Sequence, residues 1–143
     1  MKKYFLLIAA TLFATTIFCG CSKDDDNLSN SDILGKWVYV KTVGYESDLD
    51  GSNKDDFYSD EYSYQCYVLF KNDGTGVESF SKDIDDSSTP DFSYKIDGRV
   101  LTFSNSRYEY YIKKLNKKEM IWSYNRVFGD YIENGQVYFE RVK

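Results

Sequence analysis

Histidine is missing from the chain altogether. That removes Ser-His-Asp and Cys-His nucleophile systems and the usual zinc sites. Proline occurs once, at Pro90. Two of the three cysteines, Cys19 and Cys21, sit at the end of an N-terminal apolar run, so the rest of the chain holds only Cys66. No disulfide framework can be built from one thiol. There is no P-loop and no GxGxxG, and no window has the 3.6-residue apolar period of an amphipathic helix. Basic residues are in deficit. Once residues 1–20 are set aside with Lys2 and Lys3, 16 basic residues face 23 acidic ones. This argues against nucleic acid, which requires a basic patch, and against electrostatic docking on anionic lipid.

Carboxylates are plentiful but fall in loops, where water solvates them. Glycosidase chemistry needs two facing one cleft, one with a raised pKa, and nothing in the spacing assembles such a pair. The stretch from Asp48 to Asp56 is oxygen-rich, as calcium loops are. Counted from Asp48, however, the sixth and twelfth positions are Asn53 and Ser59, where an EF-hand has Gly and Glu. No catalytic residue, cofactor or metal site is expected.

The N-terminus sets the compartment. Lys2 and Lys3 precede an uncharged run from Tyr4 to Phe18. A bilayer span needs roughly 20 apolar residues, and this run fits the apolar region of a secretory signal instead. It closes on Phe18-Cys19-Gly20-Cys21, which resembles a lipobox. The resemblance implies cleavage before Cys21 and attachment of lipid to its thiol. Ser22, Lys23, Asp24, Asp25 and Asp26 follow. They resemble the short acidic export signal of surface-exposed lipoproteins in Gram-negative gut commensals, and they also suit a solvated, self-repelling tether. The expected organisation is a signal peptide over 1–20, an acylated and acidic tether over 21–31 and one domain over 32–143. The expected location is the outer membrane, facing the cell exterior, with the lipid as the membrane contact.

In the domain, aromatic residues are in excess, with 14 Tyr, 10 Phe and 2 Trp in the chain. Such composition favours strands. Period-two runs cover 37–40, 62–70, 76–81, 92–96, 100–103, 108–115, 120–126 and 136–142, with a long polar loop over 46–61. Asn72-Asp73-Gly74, Asp97-Gly98, Asn105-Ser106 and Asn134-Gly135 supply turn chemistry. Ser29 or Ser31 is placed to cap one helical turn before Leu34. Eight short strands predict an all-β fold, an antiparallel up-and-down meander closing into a barrel, since closure removes exposed edges.

Several motifs resemble bacterial lipocalin-like domains. They are Ile33-Leu34-Gly35-Lys36-Trp37, the turn Phe70-Lys71-Asn72-Asp73-Gly74-Thr75-Gly76, the hairpin from Tyr94 to Leu101, and Tyr138-Phe139-Glu140-Arg141. The resemblance implies a barrel plugged at one end by Trp37, with Arg141 packed over the indole, a contact worth roughly 0.5–2 kcal/mol. It also points to the interior as the binding site. If Tyr64, Tyr94, Tyr110 and Trp122 face inward, they either line an apolar cup with hydroxyl handles or fill the core, as in many small barrels. A cup would take a small apolar molecule or a glycan. A filled barrel would leave a surface interaction protein, with Tyr67 and Tyr111 as an outer partner patch. Cys66, sharing a face with Val68 and Phe70, is expected to be a buried, inert thiol.

The anchor is directly testable. Cys21→Ala is expected to release the protein from membranes or leave an uncleaved precursor, and membrane fractionation with lipid labelling distinguishes this from a plain secreted protein.

Overall fold

The computed structural model describes residues 28–59 and 65–143. The signal, Cys21, the acidic run 22–26 and Tyr64 lie outside them. Nine strands form a single antiparallel sheet: β1 (Gly35–Asp48), β2 (Asp55–Ser59), β3 (Tyr67–Phe70), β4 (Thr75–Ser79), β5 (Phe92–Asp97), β6 (Val100–Phe103), β7 (Glu109–Leu115), β8 (Glu119–Phe128) and β9 (Tyr131–Arg141). One helical turn, α1 (Asn30–Ile33), precedes them, with Ser29 as its N-cap in a capping box with Asp32.

Closure depends on β1. One edge of this long strand pairs with β9, from Trp37 opposite Arg141 to Asp48 opposite Tyr131. Its other edge is shared. Gly35 to Val38 pair with β3, and Thr42 to Glu46 pair with β2. The β1–β9 pairing therefore joins the two ends of the meander. The result is a closed eight-stranded antiparallel barrel of β1 and β3 to β9, with β2 as an additional strand beside the upper half of β1. A bulge between Tyr39 and Lys41 adjusts the register where β1 passes from one neighbour to the other.

Alternation decides which residues enter the barrel. Phe92, Tyr94 and Ile96 are buried while Ser93, Lys95 and Asp97 are exposed. Met120, Trp122 and Tyr124 do the same on β8. With Trp37, Phe70, Leu101, Ile112, Leu115 and Phe139 they form the main core. A second small core lies outside the barrel. The connection from β4 to β5 folds back over the sheet and places Ile84 on Tyr67, Leu69 and Val77. Lys71 fastens it by donating to the carbonyls of Asp86, at 3.0 Å, and Ser88. All four residues of β3 are consequently buried.

Four expectations need correction. The polar loop over 46–61 is instead a hairpin, because β1 runs on to Asp48 and returns as β2. Tyr67 belongs to no outer partner patch, since it is covered by the β4–β5 connection. The third strand begins at Thr75 and ends at Ser79. Asn134-Gly135 is not a turn; both residues lie within β9, and the chain reverses at Gly129-Asp130, where Gly129 has φ +56°.

The physical reason for Gly135 is close approach. It pairs with Gly44 on one side and Tyr124 on the other. A Cβ at Gly135 would lie 2.4 Å from the Tyr124 ring, and one at Gly44 would lie 2.1 Å from the Asn134 carbonyl oxygen. Overpacking of this kind costs about 1–3 kcal/mol. Gly135→Val is expected to lower the denaturant midpoint by that equivalent, and an unchanged midpoint would show that the close approach to Tyr124 tolerates a side chain.

Candidate ligand cup

The two ends of the barrel differ. One is sealed by Trp37, which is fully buried. Its indole N–H donates to the Ile33 carbonyl at 2.8 Å, so α1 fixes the ring. The Arg141 guanidinium lies 4.1 Å from the ring centroid and donates to the Leu34 carbonyl. These contacts join the first strand, the last strand and the helical turn. Asn30 accepts from the Ile96 amide at 2.9 Å at the same end.

Tyr94 also belongs to this packed half. Its hydroxyl donates to the Lys71 carbonyl at 2.8 Å, and its ring meets Phe70 edge-on at 4.9 Å. Burial pushes the phenol up to about 12, which keeps it protonated. It is a core residue with its polar atom satisfied.

The opposite half holds a cavity of about 310 Å³. Phe92, Phe103, Tyr110, Trp122 and Phe139 supply much of its apolar wall, joined by Tyr39, Val68, Tyr124 and Val137. The rings are packed on one another: Trp122 is 4.4 Å from Phe139, 5.5 Å from Tyr110 and 5.8 Å from Phe103. Of the four expected cup residues, the structure brings together Tyr110 and Trp122. It assigns Tyr94 to the sealed half, and Tyr64 lies outside the described residues.

Sequence reasoning missed the polar members of the wall, among them Arg126, Glu78, Cys66, Thr42, Asn105 and Ser106. The signal for Arg126 was present, because Met120, Trp122, Tyr124 and Arg126 alternate along one strand. Arg126 donates to the Tyr110 hydroxyl at 3.0 Å. Its guanidinium sits 4.2 Å from the Tyr124 ring centroid and 3.9 Å from Glu133. Hydrogen bonding and charge from the surrounding phenols and Glu133 outweigh burial and raise its pKa further. The Cys66 thiol donates to Glu78 at 3.4 Å. Burial, reinforced by the Glu78 charge, pushes this thiol up to about 12.

A second concavity of about 870 Å³ lies on the outer face of the sheet, lined by side chains including Tyr45, Tyr111, Asn125, Asn134 and Gln136. It is larger but open to water along its length. The cup combines enclosure, aromatic walls and a few polar groups, which is the usual character of a small-molecule site. Among the described residues, no group of three acidic or cysteine side chains is gathered to hold a metal ion.

A closed antiparallel barrel, sealed at one end and hollow at the other, defines the class of small β-barrel binding domains. The chain matches the family of the lipocalin-like domain over residues 23–122, more than two thirds of its length, and belongs to that family. No curated protein and no solved structure gives a significant match.

The Cys66 environment predicts a slow thiol. In a chain starting at Ser22, Cys66 is expected to react with a disulfide reagent at pH 8 far more slowly than a free thiol, because only the thiolate attacks. Glu78→Gln removes the repelling charge, lowers the pKa and speeds the reaction. A rate unaffected by that substitution would mean that access alone protects the sulfur.

Proposed function

We propose that this protein is a lipid-anchored binding module of the cell envelope. It sits in the outer membrane facing the cell exterior, and it holds a small, largely apolar ligand in the cup without altering it chemically. The observation that carries the reading is the aromatic cavity at the open end of a barrel sealed at its other end. A volume near 310 Å³ lies at the low end of the range for small-molecule sites, roughly 300–1,000 Å³. This favours a compact molecule over a glycan chain.

The tether supports an orientation. Leu28 forms a β-bridge with Gly98, in the turn between β5 and β6 at the sealed end. Seven residues from Cys21 reach at most about 25 Å at 3.3–3.6 Å per residue. An anchor at Cys21 would therefore hold the sealed end near the membrane and turn the cup mouth outward. The acidic run from Ser22 to Asp26 lies in that tether, where an export signal would be accessible. Replacing Asp24, Asp25 and Asp26 with alanine is expected to remove protease accessibility on intact cells, and continued accessibility would reduce the run to a spacer.

The ligand reading is tested with an uncharged anilinonaphthalene, whose fluorescence rises in apolar surroundings. Val137→Trp fills the cup from β9. Binding should weaken about tenfold or more, equivalent to 1.4 kcal/mol or more, while circular dichroism stays that of the native sheet. Equal binding to both forms would place the probe elsewhere and leave the outer groove, with Tyr45 and Tyr111, as the basis for a surface interaction protein.

A further inference from the structure

Arg126 is underused for a guanidinium in a cavity wall. It can donate five hydrogen bonds, yet among the described residues it makes one, to the neutral hydroxyl of Tyr110. Glu133 lies 3.9 Å from Nη1, too far for a hydrogen bond. Among the described residues, three buried side-chain nitrogens have no partner at all. One is Arg141 Nε at the sealed end. The other two, Arg126 Nε and Trp122 Nε1, belong to residues that line the cup. Trp122 is more than nine-tenths buried. Buried polar groups are ordinarily paired, and the spare guanidinium N–H groups of Arg126, whose side chain lines the cup and is 29% exposed, are complementary to a hydrogen-bond acceptor.

The charges around the cup decide which acceptor. Among the described residues, Arg126 is the one cationic side chain lining it. Glu133 already stands beside this guanidinium and accepts the Tyr124 hydroxyl. Glu46 is registered opposite Glu133 on β1, and Glu78 lines the cavity beside Cys66. A ligand carboxylate would bring a further negative charge to one already matched cation, in surroundings of reduced dielectric. A neutral oxygen takes the spare N–H groups without that repulsion.

We infer that Arg126 anchors the ligand, and that the ligand is a compact apolar molecule carrying an uncharged oxygen acceptor, such as a ketone, ester or amide, rather than a free acid. This rests on the cup being the binding site. The Tyr110 hydroxyl holds the guanidinium in place, and the rings supply the apolar contact.

Three naphthalenes of similar shape provide the test by titration calorimetry on the wild-type chain from Ser22. They are a naphthyl methyl ketone, ethylnaphthalene and naphthoic acid at pH 7. The ketone is expected to bind about tenfold more tightly than either of the others. In Arg126→Met its advantage over ethylnaphthalene disappears. In Glu133→Gln naphthoate gains at least about fivefold while the ketone changes little, because a competing charge has gone. Equal affinity for ketone and ethylnaphthalene, or naphthoate as the tightest ligand of the wild type, overturns the assignment and leaves the cup reading standing. Binding of none of the three overturns both.

Discussion

Everything in this molecule depends on β1 pairing with β9. The strand is long enough to serve three neighbours, and its pairing with the last strand turns an open meander into a closed wall. An open sheet of this composition would expose two edges and a face of aromatic rings. Closure satisfies the edge amides and encloses the rings. It also joins the chain's beginning to its end, so Trp37 and Arg141, more than a hundred residues apart, stand opposite each other in register. The plug follows from the pairing: indole below, guanidinium above, and the helical turn holding the indole nitrogen.

A sealed end makes the other end useful. The lower half of the barrel is filled by Phe70, Leu101, Ile112 and Met120, so strand alignment there is fixed by packing. The upper half is free to hold a cavity, and the absence of a side chain at Gly135 leaves room for the Tyr124 ring. The packed core and the cavity are thus separated along the barrel axis. A half-buried arginine among tyrosines and glutamates adds little to folding, because its partial desolvation offsets much of its pairing. It has spare donors in the cup wall, which makes its position more informative about a ligand than about the fold.

Much of the fold was legible because β-structure has a short memory. The period-two runs over 92–96 and 120–126 marked real strands, β5 and β8, from the residues alone. Asp97-Gly98 and Asn72-Asp73-Gly74 marked real reversals. The failures have a common physical source, in that local chemistry does not reveal a long-range partner. Asn134-Gly135 has good turn chemistry, but Gly135 is small because the Tyr124 ring occupies the space of its side chain. Asp55 to Ser59 looked like loop because polar residues suffice for a strand beside an edge. Tyr67 alternated like a surface residue, and only the folded-back β4–β5 connection buries it. In the cup, tyrosines and tryptophan were found by their size and Arg126 was passed over, since a charge in a strand ordinarily faces water. Tyr94 was chosen for the same reasons as Tyr110, but its hydroxyl is committed to the Lys71 carbonyl.

Native mass spectrometry of the protein solubilised from its own membranes tests the proposed anchor and the proposed ligand of the cup most directly. The predicted spectrum shows a lipidated chain beginning at Cys21, carrying one small neutral molecule that is shed on gentle activation. A chain of unmodified mass, with nothing bound under any growth condition, would contradict both the anchor and the cup.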